Sequence, residues 1–327
     1  MTERKLRDLL LGFDPYPFRD FRDERDTSQP KKVRKGHTFT GSDGRSYDIR
    51  NNLNNLSSRE WTFFLNTLET TNYPTLGEQS LGHSLRRLCP SPKPPQLMAK
   101  IIKFFTKEGG WVFDPFMGVG GTLLGASMCR RNAVGTDISH EYVERYYKVS
   151  ETLGLKRQIA EPCDARGIPE FCEGIGEFFD LILTDPPYCN IQSRQKTGEL
   201  GRRRGREPTP FTADPRDIGN LDYEHFLEEL TTITEKALVY LKPGKYLVMF
   251  TKDIQPTEKH HNLLHADIVS AMLRIGRLRF RGYKIWFDKA QNLYPYGYPF
   301  QYVGNQFHQF IMIFSKSKGE SPNHGSG

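Results

Sequence analysis

Apolar and polar positions along this chain follow two periods, and the switching between them sets out the fold. From Trp111 onward, short apolar runs of strand length alternate with longer segments whose apolar residues recur at helical spacing. The pattern predicts strands over 111–114, 133–137, near 157–161, 179–184 and 246–251. Helices are expected between and after them, over 120–131, 140–153, 222–241 and 261–275. In the helix over 222–241, Tyr223, Phe226, Leu230, Ile233, Ala237 and Leu241 fall on one stripe, and Lys242-Pro243-Gly244 supplies a stop. Two β-rich segments, 282–288 and 308–315, follow. Alternation of this kind argues an α/β fold, a mainly parallel sheet with helices on both faces. Upstream, Ser58-Arg-Glu-Trp-Thr-Phe-Phe-Leu65 predicts a small helix with a serine cap. The first 35 residues are charge-rich and basic over 30–35, which reads as an extended, mobile arm.

The candidate chemistry sits where strands end. The run Phe179-Asp-Leu-Ile-Leu-Thr184 leads directly into Asp185-Pro186-Pro187-Tyr188. Two prolines fix φ and cannot donate, so the backbone leaves the strand stiff and extended. A carboxylate (Asp185) and a carbonyl (Pro186) then stand side by side, with the Tyr188 ring next to them. That pair of acceptors suits an NH₂ group, and the ring offers a face to a flat base. Earlier, Trp111-Val-Phe-Asp-Pro-Phe-Met-Gly-Val-Gly-Gly-Thr122 reads as strand, glycine-rich turn and helix start. Gly118, Gly120 and Gly121 permit tight φ values and close ligand approach. A nicotinamide dinucleotide is disfavoured because Leu123 takes the third glycine's place in the dinucleotide pattern. The next strand ends in Asp137, where doubly wound folds commonly accept from ribose hydroxyls.

Composition narrows the partners. A net charge of +7 over 327 residues favours a polyanion. After the tetrapeptide, over residues 194–206, Arg194, Lys196, Arg202, Arg203, Arg204 and Arg206 stand against a single acid, Glu199. This basic loop, 189–221, is expected to contact DNA phosphates. The five cysteines show no Cys-x-x-Cys pair, and Cys189 reads as a reduced pocket or core residue; no metal site is expected. His261 and His265 read as a polar helix start. The stripe Tyr294, Tyr296, Tyr298, Phe300, Tyr302 fits either half-buried β packing or a wall for a nucleobase. With no apolar run of about 18 residues and a polar start, the chain is expected to be soluble and cytoplasmic, associated with the nucleoid.

Together, Asp114-Pro-Phe-Met-Gly-Val-Gly-Gly-Thr122, Thr136-Asp137 and Asp185-Pro-Pro-Tyr188 resemble the S-adenosylmethionine-dependent DNA amino-methyltransferases. The segment His83 to Met98, with its Pro92-Lys93-Pro94 core, looks like that family's cofactor-side segment. The resemblance implies a class I methyltransferase fold: Rossmann-like, doubly wound, with a mainly parallel seven-stranded sheet ending in an antiparallel hairpin. It implies S-adenosylmethionine as cofactor, held by Asp114, Pro115, Phe116, Gly118, Gly120 and Thr122, with Asp137 at the ribose and Asp164 at the adenine. Lys93 and Pro95 are further candidates. Asp185, Pro186, Pro187 and Tyr188 would act on the exocyclic amine of a flipped base in duplex DNA, adenine N6 favoured over cytosine N4. The expected layout is an N-terminal extension (1–80), a catalytic domain (81–316) and a tail (317–327), as a homodimer or with a partner subunit. Two alternatives remain at this stage: an RNA guanine-N2 methyltransferase, and a non-catalytic DNA-binding subunit on the same fold.

Overall fold

The computed structural model describes residues 4–20, 37–41, 43–89, 91–189, 212–253, 261, 263–289 and 292–318. Before the main alternation come α1 (Leu6–Leu11), β1 (Thr38–Thr40), β2 (Ser46–Asp48), α2 (Ser58–Phe64), β3 (Leu68–Thr71) and α3 (His83–Arg86). Then follow α4 (Pro95–Phe105), β4 (Trp111–Asp114), α5 (Gly121–Met128), β5 (Asn132–Asp137), α6 (His140–Thr152), β6 (Ile159–Pro162), α7 (Ile168–Phe171) and β7 (Phe179–Thr184). The chain closes with α8 (Tyr223–Leu238), β8 (Leu241–Thr251), α9 (Leu264–Leu273), β9 (Leu278–Asp288) and β10 (Gln309–Lys316).

The main sheet has eight strands in the order β3-β9-β10-β8-β7-β4-β5-β6. Strands β4 to β8 pair parallel, and β10 lies antiparallel between β8 and β9. The order reverses between β4 and β7, which places a crevice at the carboxyl ends of β4, β5 and β7. This is the doubly wound class I methyltransferase arrangement, with an eighth strand added at the edge. The added strand is β3, parallel to β9, and it comes from the residues before 81. Its Leu68-Glu-Thr-Thr71 sequence carries one large apolar residue, which is exposed, so no apolar period announced it.

Both faces of the sheet are covered. Along β7, Phe179 and Ile182 pack against α8 and α9, while Leu181 and Leu183 face α4, α5 and α6. The α4 helix starts at Pro95, whose fixed φ suits a first turn, and buries Leu97, Met98, Ile101, Ile102, Phe104 and Phe105. Each such side chain contributes roughly 1.5–3 kcal/mol by leaving water. No helix of the described residues is long and apolar enough to cross a membrane.

Three expectations change. Residues 4–20, read as mobile, are docked: Leu6 is fully buried, Tyr16 N donates to Asn132 Oδ1 at 2.6 Å, and Asp20 forms a buried ion pair with Lys107. Apolar Leu6 and a matched charge outweigh the loss of chain freedom there. Second, Lys242-Pro243-Gly244 does not stop the helix, which ends at Leu238; it lies inside β8. Pairing jumps from Phe179↔Leu241 to Leu181↔Tyr246, so the proline and Gly244 (φ 72°) sit in a bulge where no ladder donor is needed. Third, the cap of α2 is Ser57, whose side chain and Glu60 form a reciprocal capping box.

Candidate active site

The glycine turn and the end of β5 are joined by hydrogen bonds. Gly118 N donates to Asp137 Oδ2 at 2.9 Å and Ser139 N donates to Asp137 Oδ1 at 2.9 Å. A carboxylate has about four acceptor positions, so each oxygen keeps one for a hydroxyl arriving from the cleft. Burial pushes the Asp137 pKa up to about 6. At the end of β4, Asp114 is buried and accepts from Thr184 Oγ1 at 2.8 Å and Phe116 N at 3.1 Å. Burial raises its pKa to about 7, against those donors. Thr122 Oγ1 is buried close enough to favour the Asp114 carboxylate, yet makes no hydrogen bond of normal geometry.

The glycines divide their work. Gly118 (φ 51°) lines the cleft, and a Cβ there would make only ordinary contact, 3.7 Å from Cys89 Sγ. Gly120 (φ 80°) faces the protein instead: a Cβ would fall 2.2 Å from Tyr146 Cδ2. Gly120 therefore holds α6 against the turn and is not part of the cleft wall. Close ligand approach belongs to Gly118.

The segment from α3 to α4 brings in a group not foreseen in the acceptor pair's surroundings. Arg86 is 2% exposed, donates from Nη1 to the Lys93 carbonyl at 2.8 Å and from Nε to the Leu81 carbonyl at 3.2 Å, and burial lowers its pKa to about 10. Held this way, Lys93 extends into the protein, 6% exposed, between the rings of Tyr188, Phe250 and Trp286. Its Nζ donates to Asp185 Oδ2 at 2.5 Å, and Tyr188 Oη donates to Asp185 Oδ1 at 2.8 Å. Tyr188 Oη also lies 3.2 Å from Gln309 Oε1 at the start of β10. The Asp185 carboxylate is thus fixed by one donor on each oxygen, with its side chain 19% exposed toward the cleft. Tyr188 is 7% exposed, so it offers no open face to a base in this conformation; its hydroxyl instead orients Asp185. Burial and the adjacent Asp185 raise the phenol's pKa well above its usual value.

A further wall comes from residues expected to be irregular loop. Asp217 caps a short 3₁₀ turn, accepting from Gly219 N and Thr212 Oγ1, both at 2.8 Å. Gly219 sits so near the tetrapeptide that a Cβ would be 2.8 Å from Pro187 Cβ. Thr212, Asp217 and Ile218 thereby close one side of the crevice.

These elements line a cleft that opens to solvent. Asp114, Pro115, Phe116, Gly118, Thr122, Asp137 and Asp164 line it together with Asp185, Pro186 and Pro187, whereas Gly120 and Tyr188 stand behind the wall. Asp164 is tied to Arg166, whose Nη1 lies 3.1 Å from Asp164 Oδ2. The expected phosphate contacts Arg194, Lys196, Arg202, Arg203, Arg204 and Arg206 lie outside the described residues. Asp217, Arg86 and Gln309 were missed in the sequence; only Asp217 carried a signal, an acid two residues before a glycine in a turn. Cys189 is buried in the core. The donor set fits S-adenosylmethionine: two acceptor positions on Asp137 for vicinal hydroxyls, apolar Phe116, Ile138 and Ile218 for a flat ring, and an open glycine for close approach.

Residues 18–148 match the family model described as DNA methylase. Over those residues the chain is similar to DNA methylases, in line with the resemblance read from its motifs. The match holds the glycine turn and Asp137 and ends before Asp185. The Type II methyltransferase M.MthZI of Methanothermobacter thermautotrophicus is 32% identical over 159 residues, 48% of this chain and 41% of that protein. The tRNA (guanine(10)-N2)-dimethyltransferase of Pyrococcus abyssi is 33% identical over 99 residues, 30% of this chain and 29% of that protein. The chain thus spans less than half the length of these curated relatives. Among solved structures, TrmN from Thermus thermophilus aligns with 74% of this chain and 50% of its own, at 17% identity and a TM-score of 0.39.

Proposed function

We propose that this protein is a DNA amino-methyltransferase that places a methyl group on the exocyclic amine of a nucleobase, adenine N6 in preference to cytosine N4. The observation that carries the reading is one shared cleft. The Asp185 carboxylate and the Pro186-Pro187 step stand on the same cavity as the Gly118 turn and Asp137. S-adenosylmethionine, when bound, supplies a methyl group activated by its positively charged sulfur.

The chain's own residues do the rest. Asp137 and the Gly118 turn hold the donor's sugar end. Lys93 and Tyr188 fix the carboxylate of Asp185, and each of its oxygens keeps an acceptor position for an N–H of the base. Donation to Asp185 and to the Pro186 carbonyl draws the amine's lone pair out of conjugation and turns it toward the donor. Rate then comes from positioning and electrostatics, with no covalent enzyme intermediate. An amine inside a duplex is out of reach, so the nucleotide must leave the stack. Five aromatic residues on the β9–β10 connection suit that step: Tyr294, Tyr296, Tyr298, Phe300 and Tyr302 are 46–96% exposed. They form no strand, so half-buried β packing does not describe them.

The DNA methylase match and the similarity to M.MthZI support DNA as substrate. A second reading, methylation of guanine N2 in tRNA, draws on the similarity to tRNA (guanine(10)-N2) methyltransferases. The test common to both is Asp185→Ala. Methyl transfer should fall below one hundredth of wild type while S-adenosylmethionine affinity stays within a few-fold, because the acid serves the amine and not the donor. Near-normal turnover at saturating donor and nucleic acid would sink the mechanism.

A further inference from the structure

The stretch 268–287 contains Arg274, Arg277, Arg279, Arg281 and Lys284 and no acidic residue. Lys284 turns inward, where it donates to the carbonyls of Phe64 and Asn66. The four arginines are all exposed. None has a carboxylate within ion-pair distance among the described residues; Arg281 Nε donates to the neutral Ser315 Oγ at 2.8 Å. Lys318, just past β10, is exposed and equally unmatched.

These five charges gather at one end of the sheet. Arg274 caps α9, Arg277 precedes β9, and Arg279 and Arg281 lie in its first turn of pairing with β10, where Arg279 stands opposite Ser315. Arg279, Arg281 and Lys318 border a second groove, open to solvent, between residues 48–62 and the sheet, and Arg274 and Arg277 flank Gly276, which also lines it. Arg279, Arg281 and Lys318 line one side, and Asn51, Asn52 and Trp61 line the other. Other cations of the groove are already neutralised: Arg50 by Asp48, Lys245 by Asp180 and Lys316 by Glu177. The groove borders the first half of β8, whereas the catalytic cleft lies at the carboxyl ends of strands running in the same direction. The two sites therefore occupy opposite ends of the sheet.

We propose that this groove and its arginine rim bind the phosphodiester backbone of a nucleic acid at a distance from the nucleotide being methylated. Five unmatched cations spread over α9, β9 and the end of β10 exceed what a single small anion needs. They suit a ligand whose negative charges repeat along its length, each neutralised phosphate releasing counterions. The Trp61 indole on the facing wall adds an aromatic surface without sequence selectivity. Because the groove is remote from the cleft, it holds substrate and does not act on the reacting amine. Only the identity of that substrate rests on the function proposed above.

The test is Arg274→Gln/Arg277→Gln/Arg279→Gln in the full chain, with fluorescent duplex DNA and bulk tRNA titrated at several salt concentrations. The log–log salt slope for the favoured nucleic acid should become shallower by about two units. Its KM should rise at least fivefold, with kcat within about twofold and S-adenosylmethionine affinity unchanged. Arg277→Glu is the second variant and should weaken binding further, by adding repulsion at the same point. An unchanged slope and affinity for both nucleic acids, with an unchanged melting midpoint, would overturn the proposal. Loss of nucleic-acid binding in a protein that methylates neither DNA nor tRNA would support the groove while removing the proposed activity.

Discussion

Asp137 sits at the meeting point of two strands' ends, and its protonation state decides what it can accept. Its carboxyl titrates near pH 6 because burial disfavours the charge. Donor affinity should therefore strengthen as pH rises through about 6, where the ionised form with its full set of acceptors takes over. Asp137→Asn should weaken S-adenosylmethionine binding by roughly 1–3 kcal/mol at pH 8 and remove that pH dependence, read by calorimetry from pH 5 to 8. A steep pH dependence retained in the variant would place the titration elsewhere. Asp114 makes a stability statement of the same sign. Its folded pKa of about 7 lies above the unfolded value, so the native state holds its proton while the unfolded chain releases it. Its contribution to stability is complete below about pH 4 and is lost as pH rises toward 7. Asp114→Asn, neutral throughout, should gain stability relative to wild type between pH 5 and 8 in urea titrations. Arg86→Met should cost about 1–3 kcal/mol, by leaving the Leu81 and Lys93 carbonyls without donors.

Among the elements, those with a clear period were legible and those made by contact were not. The runs 111–114 and 179–184 appear as β4 and β7 with the expected ends, because a strand buried on both faces must be apolar throughout. Helix α6 likewise follows its apolar stripe. By contrast β3 owes its place to pairing with β9, and the Lys93–Asp185 contact joins residues 92 apart in sequence. The tetrapeptide made Asp185 visible as an acceptor; nothing in it foretold that Tyr188 would be buried behind that acid. The β9–β10 connection is the element whose function is most open to test. Replacing Tyr298, Phe300 and Tyr302 by serine should leave the melting midpoint unchanged, since the rings are 80–96% exposed. Nucleic-acid affinity should fall by at least tenfold, since stacking on one base is worth about 1–3 kcal/mol. Unchanged affinity would remove the connection from the substrate's path.

The whole molecule gathers the three proposed tasks on one sheet. The Gly118 turn, Asp137 and Asp185 share the crevice where strand order reverses, which is where doubly wound folds commonly bind ligands. The exposed aromatics stand on the connection that ends at Gln309, beside Tyr188, and so at the same end as the acceptors. The arginine rim lies at the other end. On the proposed function, a chain of net charge +7 built this way would hold a polyanion over a broad surface and react with it at one point. The direct measurement is nucleoside analysis after reaction with methyl-labelled S-adenosylmethionine, with duplex DNA and bulk tRNA in parallel and the Asp185→Ala variant as control. Label in N6-methyldeoxyadenosine, absent with the variant, is the predicted result. Label confined to tRNA guanine, or label in DNA that persists undiminished in Asp185→Ala, would contradict it.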